Sequence, residues 1–360
     1  MTKNDIYWVL IPESNTYTLT ERLDNLLEQL MRQVHSAGLN KKNLIFTKVF
    51  FSDIINQISI LESHRLYTDW LKYGAVSSIE QPPLDGSKIS LLVCFNADKK
   101  LTKKQEENWV EVYSDGIRRW FQTIRYSQKE AESMSANEQT TKAFEQHIQL
   151  LANNKLTLEA HCQRTWLFVR DIDRHYHEVV KSRNNLFEKE GLTPQTHFIA
   201  STGIGGYGQN PAAVLCADFL SIDVPHEAIS YLQAQEFLNP TYEYGVAFER
   251  GTAIQTSNGT TFFISGTASI DKYGHCLYQG KIIQQTERLF LNIEKLLENK
   301  GGCLSDIQWM IVYVRDFSDY PLVDEYIRKH CPNVPCIITE ARVCRPEWLI
   351  EVECIAFSNK

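Results

Sequence analysis

The chain has 360 residues, of which 43% are hydrophobic and 22% are charged, and its net charge is -7. This composition is typical of a globular protein and excludes collagen-like, low-complexity and disordered chains. The acidic balance disfavours a general nucleic-acid binder, which needs a basic face, but it leaves room for a local basic pocket that binds a small anion. At about 150 residues per domain, the length predicts two or three domains.

The nine cysteines are scattered, and no two of them form a Cys-x-x-Cys pair. Structural zinc needs paired ligands at short spacing, and secreted disulfide frameworks need a higher cysteine density. The N-terminal residues lack the apolar core of a signal peptide, and no apolar run reaches the ~18 residues of a spanning helix. The sequence therefore predicts a cytoplasmic protein with reduced thiols, no metal and no membrane segment.

The first half of the chain gives a sparse pattern. Apolar runs predict strands over 6–11 and 44–51, and leucines at helical spacing predict a helix over 19–35. Thr18 or Thr20 is the candidate N-cap of that helix. The polar segment 126–141 is typical of an exposed connection that runs into a helix.

The last hundred residues give the clearest pattern. Strands are predicted over 261–270, 307–315, 336–343 and 349–357, and helices over 281–300 and 320–330. Gly301 and Gly302 end the first of these helices. The order is β-α-β-α-β-β, which predicts an α+β layer with the helices packed on one face of a sheet.

A related pattern occurs earlier in the chain. The strand end 166–171 resembles 311–316, and the two aspartates Asp171 and Asp316 are 145 positions apart. The order of four elements is shared, which favours duplication of one unit over chance similarity. We therefore predict an α+β fold of two such units. The N-terminal domain would span 1–225 and would be divergent with extra N-terminal elements, and the C-terminal domain would span 226–360.

Two motifs are weak indicators of chemistry. Residues 203–208 match Gly-x-Gly-x-x-Gly, but a strand-like segment follows where a dinucleotide site needs a helix. A tight turn, or a nest of backbone N–H groups that binds an anion, remains open. His161, Cys162, His175 and His177 suggest a metal site only weakly, since positions two apart do not share a helix face. Solvated or capping histidines are the favoured interpretation.

The strongest motif pairs an arginine strand with a carboxylate strand. Arg342 lies on the first strand, and Glu351 and Glu353 lie on one face of the second. If the two strands form a hairpin, Arg342 and Glu351 approach one another. Ionic residues inside apolar strands are unfavourable unless they are paired or used. The pair is therefore either structural, or an arginine that grips a carboxylate beside a carboxyl group that moves a proton.

This segment resembles the Rid/YjgF superfamily, whose members carry an arginine-bearing strand and then a Glu-Ile-Glu-like triplet. The segments 263–266 and 312–316 resemble that family too. The two-unit length and the segments 164–166, 200–206, 265–269 and 344–347 are similar to the chorismatases, Rid-fold enzymes that remove pyruvate from chorismate. The resemblance implies the chorismate-mutase-like fold, a monomer or a homotrimer, and no cofactor.

The resemblance also implies site residues. Glu351 would be the proton-transferring acid, with Glu353 as the alternative, and Arg342 would hold one carboxylate of the dianion chorismate. The remaining positions assigned to substrate binding are Arg164, Arg183, Arg250, Tyr244, Gly203 and Gly205. The products would be pyruvate and a hydroxybenzoate or a dihydroxycyclohexadiene carboxylate.

Two other functions remain open for this fold. A Rid-type hydrolase of 2-iminoacids needs the same arginine and an activated water. A non-catalytic ligand-binding protein is also compatible, because fold does not fix function and segment 242–250 departs from the chorismatase pattern.

Overall fold

The computed structural model describes residues 2–13 and 18–359. Its α-helices are α1 (Leu19–Ser36), α2 (Ile54–Ser63), α3 (Arg65–Asp69), α4 (Gln128–Glu132), α5 (Ala136–Asn153), α6 (Leu158–His161), α7 (Ile172–Lys189), α8 (Ile282–Glu298) and α9 (Tyr320–His330). Within the described ranges, none of these helices has the length and apolar character needed to span a bilayer.

The strands form three sheets. They are β1 (Asp5–Leu10), β2 (Leu44–Phe51), β3 (Ala75–Glu80), β4 (Ile89–Asn96), β5 (Thr102–Gln105), β6 (Trp109–Ser114), β7 (Ile117–Ile124), β8 (Cys162–Val169), β9 (Ala200–Gly205), β10 (Leu215–Asp223), β11 (Ile229–Tyr231), β12 (Gly251–Thr256), β13 (Gly259–Thr267), β14 (Ile307–Val314), β15 (Cys336–Glu340) and β16 (Ile350–Ser358). The strand orders are β1-β4-β2-β3, β5-β6-β7-β10-β8-β9 and β11-β12-β13-β16-β14-β15.

One connectivity is repeated three times. Unit 1 (residues 5–96), unit 2 (102–223) and unit 3 (229–358) each contain a strand, a helix, a strand, a helix and two strands in that order. In each unit the last strand (β4, β10 or β16) lies antiparallel between a first strand (β1, β7 or β13) and a second strand (β2, β8 or β14). The third strand (β3, β9 or β15) pairs parallel with the second. The predicted α+β fold with repeated units is confirmed, and a third, four-stranded unit precedes the two that the sequence indicated.

The predicted domain boundary at residue 225 falls between β10 and β11. The segment before it holds two sheets, because the residues expected to be extra N-terminal elements form unit 1. The predicted helix 19–35 is α1, and Thr18 caps it by accepting a hydrogen bond from the Glu21 amide.

Alternation along the strands separates two kinds of core. In β8, Trp166 and Phe168 belong to a core shared by all three units, whereas Leu167 and Val169 pack with α5 and α7. Successive strand residues point to opposite faces, so in unit 2 the inner face of the sheet joins the shared core and helices cover the outer face. The helices of unit 1 likewise have a separate core on the outer face of its sheet.

Each unit contacts the other two through its third strand or the segment after it. Bridges join Glu80 to Tyr207, Pro83 to Thr339, and Ile204 to Val343, so the contacts run 1–2, 1–3 and 2–3. The strand registers relate the units residue by residue. Three equivalent positions on the second, third and last strands are Lys48, Ser77 and Leu92 in unit 1, Trp166, Thr202 and Asp218 in unit 2, and Ile311, Ile337 and Glu353 in unit 3.

Candidate active site

A cavity of about 390 Å³ opens between units 2 and 3. Unit 2 contributes one face of α7 and part of β9, and unit 3 contributes β13, the segment before β16 and β16 itself. The lining includes Asp173, Tyr176, His177, Arg183, Gly203, Phe248, Arg250, Gly266, Cys344, Arg345, Trp348 and Glu351. Its size suits a small organic molecule.

Glu351 presents a carboxyl group to this cavity from the start of β16. The residue is only 4% exposed. Among the residues that the structure describes, none donates a hydrogen bond to this carboxyl or forms an ion pair with it. Burial, and next the charge of Glu353, raise the pKa of Glu351 to about 8. The carboxyl is therefore protonated at neutral pH, as a general acid requires.

A β-bulge makes the space for this carboxyl. The pairing of β13 with β16 shifts register between Ile264 and Thr267, which places an extra residue on β13. A Cβ atom on Gly266 would lie 2.1 Å from Oε1 of Glu351. Glycine leaves room for the acid, because a side chain at this position would displace the Glu351 carboxyl.

Glu353 lies two residues further along β16 and is fully buried. Its Oε2 accepts hydrogen bonds from Arg164 Nη2 at 2.6 Å and from the Thr202 hydroxyl. Its Oε1 accepts from Trp166 Nε1 at 2.9 Å and from the Tyr313 hydroxyl at 3.1 Å. This carboxylate has its full set of donors, so it acts as a fixed negative charge beside Glu351 rather than as a second acid.

Three arginines give the cavity its positive charge. Arg183 comes from α7, Arg250 precedes β12, and Arg345 precedes β16. The Arg250 guanidinium donates to the backbone and side-chain oxygens of Asn239, and Arg345 lies 5.0 Å over the ring of Trp348. Such held guanidinium groups suit the carboxylates of an anionic ligand, although the chain as a whole is acidic.

The comparisons with known proteins follow the same division of the chain. The family model described as Endoribonuclease L-PSP matches residues 250–358, which is the part of unit 3 from Arg250 onward. A RutC family protein of Pyrococcus abyssi is 30% identical over 103 residues, which make up 28% of this chain and 81% of that protein. The chain belongs to the RutC family. The 3-aminoacrylate deaminase RutC of Acinetobacter baylyi is 28% identical over 98 residues, 26% of this chain and 76% of that protein.

A solved structure covers the whole chain as well. The crystal structure of a chorismatase superposes with a TM-score of 0.68 and covers 99% of this chain and 99% of its own, at 16% identity. That likeness shows the fold of all three units, including those outside the RutC match.

The predicted hairpin of the arginine strand and the carboxylate strand is wrong. β15 and β16 are not neighbours, because β14 lies between them and pairs parallel with β15. Arg342 therefore does not meet Glu351 through strand pairing. Its exposed side chain binds Asp173 at 2.9 Å, and Arg315 binds the same carboxylate at 2.8 Å. Arg342 does not line the cavity.

The other predicted positions divide into two groups. Arg183, Arg250 and Gly203 line the cavity together with Glu351. Arg164 does not, because its buried guanidinium is bound to Glu353. The N–H of Gly205 donates to the Arg342 carbonyl at 2.8 Å, so it is not presented to a ligand. The side chain of Tyr244 lies outside the described residues.

Three further cavity residues shape the site although the sequence assigns them no role. Arg345 belongs to the segment 344–347 that carried the resemblance, and its charge was the available signal. Tyr176 was not visible in advance, and its ring covers Gly203, where a Cβ would lie 3.0 Å from Cε2. Gly266 depends on a bulge that no local pattern reveals. Burial raises the pKa of the Cys344 thiol to about 12, so it stays protonated rather than serving as a nucleophile.

Proposed function

We propose that this protein is a chorismatase, which releases pyruvate from chorismate. The observation that carries the proposal is the Glu351 carboxyl, which is buried without a protein partner, has a pKa of about 8 and faces a cavity with three arginines. A neutral acid and a basic lining in one cavity suit a substrate that is a dianion and needs protonation on carbon.

Substrate binding would rest on local charge. Chorismate carries a ring carboxylate and an enolpyruvyl carboxylate, and Arg183, Arg250 and Arg345 are the cations that line the cavity. We infer that two of them hold the carboxylates, and that Arg342 attracts the substrate at the outside of the site, where it is exposed.

In the proposed reaction, Glu351 gives its proton to the methylene carbon of the enolpyruvyl group. The electron pair of the C=C bond forms the new C–H bond, which leaves an oxocarbenium carbon next to the ether oxygen. Water adds to that carbon and its proton returns to the Glu351 carboxylate. The hemiketal then breaks its bond to the ring oxygen, which takes up a proton, and pyruvate and a dihydroxycyclohexadiene carboxylate are released.

The aromatising route starts with the same protonation. The ring C4 hydroxyl then adds to the oxocarbenium carbon and its proton returns to the Glu351 carboxylate. One of the two ring C–O bonds breaks, a ring proton is lost and the ring becomes 3-hydroxybenzoate (C4–O broken) or 4-hydroxybenzoate (C3–O broken), while the former enolpyruvyl carbon leaves as the ketone of pyruvate. Hydrolysis consumes a water molecule, whereas the aromatising route has no net consumption of water. Glu351 has the same role in both routes, so the acid and the product isomer are separate questions.

Imine hydrolysis is the second candidate, because the matched Acinetobacter protein is named a deaminase. A 2-iminoacid is smaller than chorismate and carries one carboxylate. This candidate requires Glu351 to act as an ionised base that activates water, and burial of the carboxyl opposes that state.

The deciding experiment is incubation of the purified protein with chorismate. Pyruvate is followed by a coupled assay with lactate dehydrogenase, and ring products are separated by chromatography. Glu351→Gln is expected to abolish pyruvate release, while Glu298→Gln, at an exposed ion pair with Lys295, keeps the wild-type rate. A folded wild-type protein that releases no pyruvate, but accelerates decay of 2-iminopropionate, would replace this proposal with imine hydrolysis.

A further inference from the structure

Thr202 lies where three elements of two units meet. It belongs to β9 of unit 2, is 1% exposed, and does not line the cavity. Its hydroxyl donates to Oε2 of Glu353 on β16 and accepts from the N–H of Gly266 on β13 at 3.0 Å. Arg164 Nη2 also donates to this oxygen. One proton and two lone pairs are thus all used.

Two of the three partners of this hydroxyl determine where the acid sits. Gly266 is the bulge residue whose missing side chain admits the Glu351 carboxyl, and its N–H is held by Thr202. Glu353 is the charge beside Glu351, and one of its oxygens is held by Thr202. One hydroxyl therefore holds both the Gly266 backbone, which leaves room for the acid, and the Glu353 carboxylate, which lies beside it.

We propose that Thr202 is a positioning residue that fixes the Gly266 bulge and the Glu353 carboxylate, and through them the Glu351 acid. The kinetic test of this inference rests on the proposed function, whereas its structural claim concerns only the position of the Glu351 carboxyl. Without the hydroxyl, the Gly266 N–H and one Glu353 oxygen lose a partner in a buried setting. The bulge then relaxes, and the acid becomes less shielded from the water of the cavity.

The chain offers a matched control at the interface between units 1 and 2. Ser77 is the unit 1 equivalent of Thr202, and its hydroxyl donates to Asp218, the unit 2 equivalent of Glu353. Ser77→Ala removes a buried hydroxyl that serves a buried carboxylate, but it lies outside the cavity. The two substitutions are expected to lower stability by similar amounts and to differ in their effect on catalysis.

The kinetic test compares Thr202→Val, Thr202→Ser and Ser77→Ala. Loss of a hydrogen bond to a buried charged group predicts a fall in kcat of about tenfold to hundredfold for Thr202→Val, with KM changed less than about threefold. Thr202→Ser restores the hydroxyl and is expected to keep most of kcat. A Thr202→Val rate equal to that of Ser77→Ala, or a serine variant as slow as the valine variant, would overturn the proposal. Thr202→Ala takes the place of the valine variant if the latter does not fold.

The second test does not need turnover. The Glu351 carboxyl is titrated by carbon-13 NMR in protein with labelled glutamate, with Glu351→Gln to assign the signal. The ionisable groups that face it are Glu353, Arg164, Arg250, Tyr176, Tyr313 and Cys344.

None of these groups is itself replaced in the Thr202 and Ser77 variants. Weaker shielding from water in Thr202→Val is expected to lower the Glu351 pKa by about one unit or more, while Thr202→Ser and Ser77→Ala leave it unchanged. An unchanged titration in Thr202→Val refutes the positioning role. If chorismate is not turned over but the titration shifts as expected, the proposed function fails and the role of Thr202 stands.

Discussion

The 2–3 and 1–2 interfaces have the same backbone plan and different chemistry. At the 2–3 interface, Glu353 accepts from Thr202 and Trp166 across the boundary. At the equivalent positions of the 1–2 interface, Asp218 accepts from Ser77 and forms an ion pair with Lys48 at 3.9 Å. A buried carboxylate bound across the boundary is therefore common to both interfaces, so it does not by itself make a site.

The differences lie at the acid and the bulge. The position of Glu351, two residues before Glu353, corresponds to Cys216 in unit 2, and β7 pairs with β10 without a register shift. The space beside Lys48 and Asp218 is only about 20 Å³, room for about one water molecule. The comparison teaches that an acid without a partner and a glycine bulge convert a structural interface into a candidate active site.

The third interface lacks even the carboxylate. The corresponding positions are Leu92 and Ile337, and both belong to the shared apolar core. The 1–3 interface is thus apolar, the 1–2 interface is charged and closed, and the 2–3 interface is charged and has an open cavity.

Among substitutions that keep Glu351, Gly266→Ala is expected to have the largest effect on activity. The added methyl group would occupy the position of the Glu351 carboxyl, and displacement of a catalytic group by about 1 Å lowers kcat by about a hundredfold. Pyruvate release measures the effect. The control is Gly302→Ala, whose Cβ would meet Phe262 at 2.8 Å outside the cavity. It should lower stability and leave kcat intact, and equal loss in both variants would contradict the role of the bulge.

Removal of the buried carboxylates should separate the two charged interfaces by stability. Glu353→Gln leaves the buried Arg164 without its counter-ion, which is expected to lower the free energy of unfolding by about 3–5 kcal/mol. Asp218→Asn should lower it by about 1–2 kcal/mol, because Arg125 is partly exposed and Lys48 loses its proton readily. Urea unfolding checks both values, and the reverse order would refute this explanation.

The pH dependence of kcat/KM tests whether Glu351 acts as an acid. Burial raises its pKa to about 8, so the active protonated form prevails below pH 8. We expect a flat profile near neutral pH and a fall of about tenfold per pH unit well above 8. A rate that rises through pH 8 would mean that the ionised carboxylate is active, as imine hydrolysis requires.

Lys48→Met should have the smallest effect. Burial lowers the pKa of Lys48 from 10.5 to about 8, so the folded state holds its charge less readily than the unfolded state does. The charge therefore destabilises the fold below pH 8, and this penalty disappears as the pH rises towards 10.5. Methionine should be neutral or stabilising by about 1 kcal/mol at pH 7, with less gain at pH 10 and with unchanged kcat. A large loss of stability would assign Lys48 an essential ion pair.

The sequence was most informative where packing has a regular period. The helix 19–35, the strand 44–51 and the order of elements from β13 to β16 in unit 3 could be predicted, because buried faces recur at helical or strand spacing. Unit 1 was missed as a repeat, since β2 ends in Phe51-Ser52-Asp53 where the other units have Val-Arg-Asp. The repeat was recognised by its arginine, and unit 1 has none at that position.

The site was predictable only in part, for a physical reason. Glu351 stood out because a carboxyl in an apolar strand needs a partner or a use. Arg342 was placed beside it on the assumption that consecutive strands pair, and a parallel crossover separated them. The Gly266 bulge, the Tyr176 ring and the choice among the arginines depend on register and on contacts between distant segments, which spacing along the chain does not encode.

The joining of three units in one polypeptide allows a destabilising group to be present in one unit alone. A carboxyl whose pKa is raised to about 8 destabilises the folded state by several kcal/mol at high pH. In a ring of three identical subunits, every substitution is present in triplicate, and so is its destabilisation. Here a single mutation alters a single interface, so unit 3 can hold the unfavourable acid without its being repeated in units 1 and 2.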